Sequence, residues 1–357
     1  MAAFLKWLGA IVAALFVAMV CLAVYFLART GAFNSVQNLA TEACAAIALE
    51  GVSAEDIVVD RARGLAYLSA LDRRAKVGGR PSLGTVLKID LNDVDSGPRP
   101  ALAEDPEAFR PHGMSLYTAP DGQQTLFVIS HRPGKSQAIE IFEMGDDGLF
   151  DHIETVTGDG LVSPNDLAAT GPREFYVAND TGAESRFQRM QEQVFGAGFA
   201  KLTYFDGAKF RTLREDLASA GGIAVSADGG RLFVADTQQK RVRVFSRDKI
   251  TNDVSLAAIV ELDGLPDNID IAPDGGAWVT AHASAFSLIR HFFDAADPSP
   301  SLVYRIALND RGFWRADLKY ASDGRNLSAG SVAVRYGDEL ILGSITEQKI
   351  LRCKVPD

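Results

Sequence analysis

Apolar and polar positions recur along this chain in one repeated unit. A short apolar strand leads into a turn carrying Gly or Asp, and a second apolar strand then ends in small or polar residues. The second strands read LAYLS (65–69), LFVIS (126–130), FYVAN (175–179), LFVAD (232–236), AWVTA (277–281) and LILGS (340–344). Five of them follow a clear first strand and turn: MSLYTAPDGQQT, LAATGPRE, IAVSADGGR, IDIAPDGG and VAVRYGDE. The six units are spaced 45 to 63 residues apart, and long segments of helical period are scarce. Radial arrays of small antiparallel sheets carry this signature. The pattern therefore predicts an all-β fold, a six-bladed β-propeller over residues 47–357, and argues against alternating strands and helices.

Three stretches depart from the strand period. Trp7 to Ala28 is an uncharged run of 22 residues between Lys6 and Arg29. It is long enough to cross a bilayer as a helix and exceeds the apolar core of a cleaved signal peptide. No small-x-small cleavage site follows it. Residues 1–30 are thus expected to be a retained transmembrane signal-anchor that makes the lipid bilayer a partner. The globular part then lies on the exported side, periplasmic or extracellular/lumenal; a cleaved signal and a secreted protein is the alternative. Residues 31–46 read as a linker or short amphipathic helix. Arg186–Ala200 and Ser284–Ala296 read as short helical insertions between blades.

Composition narrows the partners. Hydrophobic residues make up 47% of the 357 positions, enough for a large core, and the formal net charge is −10 without a run of Lys or Arg. Such a surface repels a phosphate backbone, which excludes nucleic acid. Of the three cysteines, Cys21 lies in the apolar run, while Cys44 and Cys353 bracket the globular part. Paired, they would join its two ends, a closure worth roughly 5 kcal/mol in the chain-entropy picture. Two unpaired thiols are the alternative, and an exported location favours the bridge.

The chemistry gathers at the ends of the repeats. The turn Pro120-Asp121-Gly122 joins two strands, so a hairpin sets His112, at the start of the first, beside His131, at the end of the second. Two adjacent imidazoles can pass a proton near neutral pH. Glu55-Asp56, Asn165-Asp166 and Asp267-Asn268 are doublets that directly precede apolar strands, with Asn179-Asp180 and His282 at comparable boundaries. Carboxylates and amides are the oxygen ligands that Ca²⁺ takes. Alternation along a strand would turn one member of each doublet toward a metal at the channel mouth and the other toward a deeper one. Turn capping is the competing explanation of each doublet alone. His and Cys are too sparse for a zinc site.

The order and context of AED, PHGMS, ISH, PNDL, PDNI and AH resemble the calcium-dependent paraoxonases, a family of arylesterases and lactonases, over about residues 40 to 355. The wider gluconolactonase-like and strictosidine-synthase-like propellers share part of the pattern. The resemblance implies two Ca²⁺ ions. Glu55, Asn165, Asp267 and Asn268 match the ligands of the catalytic one; Asp56, Asp166 and the main-chain carbonyl of Met114 match those of the structural one. It also implies a dyad in which His112 activates water and His131 assists, a further active-site histidine at His282, and a Cys44–Cys353 disulfide that closes the ring. One position departs: the family's A-N-G-I reads Ala220-Gly221-Gly222-Ile223 here, so Gly221 offers no side-chain oxygen.

The expected activity is calcium-dependent hydrolysis of lipophilic lactones or aryl esters. No G-x-S-x-G elbow is present, which argues against a serine esterase. A non-catalytic, membrane-anchored binding propeller, or a gluconolactonase-type sugar lactonase, are the alternatives.

Overall fold

A computed structural model describes residues 2–354; Met1 and the last three residues of the expected 47–357 unit lie outside the described residues. Six four-stranded antiparallel sheets form the six blades. Their inner strands are Ser53–Asp60, Pro111–Thr118, Pro164–Ala169, Ala220–Val225, Leu265–Ile271 and Gly330–Tyr336, in blades one to six. The strands next to them, such as Gln124–Ser130 and Phe175–Asn179, are buried at every position. Each lies between two neighbouring blades, so both of its faces pack and the sequence reads as a continuous apolar run. Outer strands such as Phe150–Val156 expose most of one face. The core is correspondingly divided into clusters between blades; one brings Phe233 and Val244 of blade four against Val279 and Ile306 of blade five.

The ring is closed by the chain's own beginning. Cys44–Ala48 is the outer strand of blade six and pairs with Lys349–Lys354 in a register that sets Cys44 opposite Cys353. Those two cysteines are disulfide-bonded across 309 residues of sequence. The linker or helix expected at 31–46 is therefore corrected. Among residues 31–46 no helix forms, Leu39 bridges to Ala321, and the strand already starts at Cys44. Its partner is so distant in sequence that no local pattern announces it.

Helix α1 (Ala2–Arg29) is long and apolar enough to cross a membrane by length and composition, and carries exposed Phe4, Trp7 and Leu15. Helix α2 (Arg73–Val77) was not foreseen. Helix α3 (Arg186–Phe195) starts at a Ser185–Gln188 capping box and stops where Gly196 turns left-handed, so it is shorter than expected. Helix α4 (Ala285–Phe293) starts at the cap Ser284. None of the three lies between blades, which corrects the expectation. Each follows the second strand of its own blade, and so stands on the face where the inner strands begin.

Candidate active site

All six inner strands shift register against their neighbours near their first residues: between Ala54 and Ile57, Pro111 and Met114, Pro164 and Asp166, Ala220 and Ile223, Pro266 and Ile269, and Gly330 and Val332. A bulge sets two residues opposite one and re-aims their side chains. Both members of Glu55-Asp56 thereby reach the central axis at different levels, as do those of Asn165-Asp166, whereas both members of Asp267-Asn268 stay at the upper one. Close approach of the strands here requires glycine. A Cβ on Gly113 would lie 2.5 Å from the Asn165 carbonyl oxygen, and one on Gly222 would lie 2.3 Å from that of Asp267.

The upper layer of the axis holds Glu55, Asn165, Asp267 and Asn268. The Asn268 amide donates to the Glu55 carbonyl at 3.1 Å and to its Oε1 at 2.9 Å. Three oxygens are buried without a donor: Glu55 Oε2, Asn165 Oδ1 and Asn268 Oδ1. Asp267 Oδ2 lies 3.0 Å from His282 Nε2, while His282 Nδ1 is buried with no partner. Burial pushes the Glu55 carboxyl up from its ordinary range, against the pull of the Arg73 guanidinium.

The lower layer is saturated with donors. Asp56 accepts from the backbone N–H of Ile57 at 2.8 Å and of Met114 at 2.6 Å. Asp166 accepts from Leu167 at 2.7 Å and from Ile223 at 2.8 Å. Burial, reinforced by neighbouring carboxylates, raises both groups well above the usual range. Below them a channel of about 200 Å³ runs toward Arg61 and Asp270.

The donor set suits calcium. Buried anionic and amide oxygens lacking partners are costly unless something binds them, and a hard cation takes such oxygens, six to eight at a time. Among the described residues no three His, Cys, Asp or Glu side chains converge as a metal cluster. A calcium reading therefore leans on the amides and on main-chain oxygens.

Beside this cradle, His112 Nδ1 and His131 Nε2 are 2.7 Å apart, and His131 Nδ1 is 2.6 Å from Gln137 Oε1. With Gln137 Oε1 accepting, the His131 proton sits on Nδ1, its Nε2 accepts, and His112 donates from Nδ1. The lone pair of His112 is then on Nε2, 3.4 Å from Glu55 Oε2.

Beside His282 opens a cleft of about 550 Å³ whose exposed lining is mostly apolar surface, from residues including Phe26, Val194, Leu265, Leu288 and Ile289. Three helices meet there. The Arg29 guanidinium donates to the Phe195 carbonyl at the end of α3. The Thr30 carbonyl accepts from Phe286 N–H at 3.1 Å and from the Ser284 hydroxyl at 3.2 Å at the start of α4.

The structure thus gathers Glu55, Asp56, Met114, His112, His131, Asn165, Asp166, Asp267, Asn268 and His282 about one channel mouth. Asn179 belongs elsewhere: it is fully buried and caps Ser163 N–H and the Gly160 carbonyl. Reading the sequence missed Arg73, Gln137 and Thr237. A Cβ on Gly221 would lie 2.7 Å from the Thr237 hydroxyl, which donates to the Pro266 carbonyl at 2.8 Å. A hydroxyl thus already fills the space beside Gly221, and only the fold brings the two positions together.

Comparison with known proteins agrees with this architecture. The family model described as Arylesterase matches residues 81–355. The chain is 30% identical over 328 residues to serum paraoxonase/arylesterase 2 of Gallus gallus, covering 89% of this chain and 90% of that one. It is 27% identical over 345 residues to serum paraoxonase/lactonase 3 of Homo sapiens, covering 92% and 94%. Among solved structures, a gluconolactonase from Xanthomonas campestris superposes with a TM-score of 0.53 at 15% identity, over 90% of this chain and 94% of that one. That likeness concerns the fold alone.

Proposed function

The chain belongs to the arylesterase family, and on that premise we propose that it is a calcium-dependent hydrolase of lipophilic lactones and aryl esters. The observation that carries the reading is the set of donorless oxygens on Glu55, Asn165 and Asn268, at the mouth that also presents His112 Nε2.

Glu55, Asn165, Asp267 and Asn268 would hold the catalytic ion, and Asp56 and Asp166, with the Met114 carbonyl, the structural one. Calcium in the upper position supplies Lewis-acid polarisation of the carbonyl and charge to stabilise an oxyanion. The remaining work falls to side chains. His112 Nε2 takes a proton from a water, whose oxygen adds to the ester carbonyl carbon. His131 accepts the hydrogen bond from His112 Nδ1–H and shares the positive charge that develops, while Gln137 fixes its tautomer. The ring or ester C–O bond then breaks, and the proton on His112 passes to the departing oxygen. A lactone leaves as a hydroxy acid; an aryl ester leaves as a phenol and a carboxylic acid, which releases its proton to solvent. The apolar cleft beside His282 suits an aliphatic or aromatic tail. Helix α1 would anchor the protein in a bilayer, with the propeller on the exported side.

Gly221 favours a second reading, a propeller that binds a ligand without turning it over, because the upper site has one side-chain oxygen fewer than the family pattern. One titration separates the two. Full-length protein in detergent is titrated with calcium while hydrolysis of an aryl ester and a long-chain lactone is followed. Activity that appears with calcium and disappears with chelator is the expected result. Thermal stabilisation by calcium without turnover of either substrate would replace the hydrolase with the binding propeller.

A further inference from the structure

Arg73 opens helix α2, beside the site on the face where the inner strands begin. Its side chain is 9% exposed, and burial draws its guanidinium below the ordinary range. Nη2 donates to the Pro111 carbonyl at 2.9 Å, reaches the Ser69 hydroxyl at 3.4 Å and lies 3.8 Å from Glu55 Oε2. Nη1 is buried with no partner. Its ion pair is loose and one nitrogen is idle, and a buried ion pair of this kind is weak evidence for a role in stability. What the guanidinium does reach is informative. Pro111 directly precedes His112, and Glu55 carries one of the donorless oxygens. Blade one supplies Glu55 and blade two supplies His112, so a single nitrogen, Nη2, lies between the proposed cation ligand and the backbone that carries the proposed base. The next residue secures the helix: Arg74 donates to the His291 carbonyl at 3.0 Å and lies 2.6 Å from its Nε2. Helix α2 is thereby tied to α4.

We propose that Arg73 is a positioning residue that sets the spacing between Glu55 and His112 by holding the Glu55 carboxylate and the Pro111 carbonyl with one guanidinium. This rests on the roles proposed above for Glu55 and His112. Lysine ends in a compact ammonium on a flexible stem, whereas the rigid guanidinium fixes where Nη2 sits between the two partners, so lysine holds them less firmly.

The sign of one measurement separates positioning from simple charge. A guanidinium that only adds positive charge repels a cation, and its removal would tighten calcium binding. A guanidinium that aligns Glu55 favours binding, and its removal weakens it. In Arg73→Met the calcium dissociation constant, measured by calorimetric titration, is expected to rise about tenfold, the scale seen when the support of a metal ligand is lost. The kcat is expected to fall about 10- to 100-fold with KM within about threefold, as for misaligned reacting groups. The denaturation midpoint should fall as well, because the Pro111 carbonyl loses a donor and Glu55 its nearby cation, so the calcium constant and kcat are read on protein that is folded at the assay temperature. Arg73→Lys should recover only part of the calcium affinity and part of kcat.

Calcium binding in Arg73→Met as tight as in the native protein or tighter, with kcat within about threefold, overturns the proposal. If Arg73→Met does not fold, Arg73→Lys is judged by the same criteria. Native protein that binds calcium without hydrolysing any ester would sink the hydrolase reading alone, since Arg73 would still be judged on the binding constant. Native protein that binds no calcium sinks both.

Discussion

Glu55 and Asp56 are adjacent in sequence and both buried, yet their surroundings are opposite. Asp56 has each oxygen occupied by a backbone N–H, one of them from Met114 in the neighbouring blade. Glu55 leaves Oε2 without a hydrogen-bond donor, facing an arginine at 3.8 Å and a histidine at 3.4 Å. Asn165 and Asp166 repeat the contrast in blade three, where Asp166 accepts from Ile223 of blade four while Asn165 Oδ1 has no donor. The lower residue of each pair is a stitch between blades; the upper one is left open. Asp267-Asn268 does not divide this way, because Asp267 faces His282 and Asn268 faces Glu55, both in the upper layer. A groups-per-layer count read from the sequence would have treated the three doublets alike. Their hydrogen bonds show that similar residues are tied into the backbone in one layer and left without donors in the other.

That contrast breaks most sharply at the base. His112→Gln is expected to lower kcat by about 10²- to 10⁴-fold, the usual contribution of a positioned general base, with an unchanged denaturation midpoint. Native-like turnover in steady-state assays would remove His112 from the chemistry. The next largest effect tests the lower layer. Asp166→Ala strands the N–H groups of Leu167 and Ile223, a loss of about 2–6 kcal/mol at 1–3 kcal/mol for each unsatisfied group. Glu55→Gln should leave calcium-free stability unchanged or improved, because it removes a buried charge, while abolishing the activity that calcium elicits. Urea denaturation of both variants, with and without calcium, checks the division. Equal losses in calcium-free protein would erase it.

A smaller effect concerns pH. Asp56 and Asp166 titrate well above the ordinary carboxylate range because burial and neighbouring charges disfavour their ionised forms. The folded, calcium-free protein therefore holds protons that the unfolded chain releases. The stability this brings is fully present below the unfolded value near 4 and is lost as pH rises through the raised values. Calcium-free protein should thus become more stable between pH 7 and about 4.5. Calcium-saturated protein should lose stability over the same range, because protons compete with the ion. Asp216, held at about 2 chiefly by its hydrogen bond from Arg214, does not interfere, since its contribution falls only as pH drops below its unfolded range. Urea midpoints with the same slope in both conditions would contradict this account of the lower layer.

The division of labour was only partly legible in the sequence. The six repeats were, because each second strand is buried on both faces and must be apolar throughout. So was the adjacency of His112 and His131, because a tight turn fixes which strand ends meet. The bulges were not: one extra residue in a ladder leaves no compositional mark, so the doublets were read as alternating. Cys44–Ala46 reads as linker or short helix because its partner strand is at the other end of the chain. Arg73 and Gln137 carry no motif, and their importance comes from the side chains that the fold brings to them.

Gln137 gives the smallest effect and the finest test of the upper layer. Its Oε1 lies 2.6 Å from His131 Nδ1, and that contact places the His131 proton and, through it, the Nδ1 proton of His112. Gln137→Leu removes the acceptor without touching the pair itself. His131 can then take either tautomer, and the productive one is no longer the sole state. The cost is a change in populations and not the loss of a base, so kcat should fall by about three- to tenfold, or about 0.7–1.4 kcal/mol. Gln137→Glu keeps an acceptor at the same place and should retain the tautomer, with the alkaline limb of the activity profile unchanged or better. If Leu and Glu at this position behave alike in kcat across pH, the tautomer is fixed by something other than residue 137.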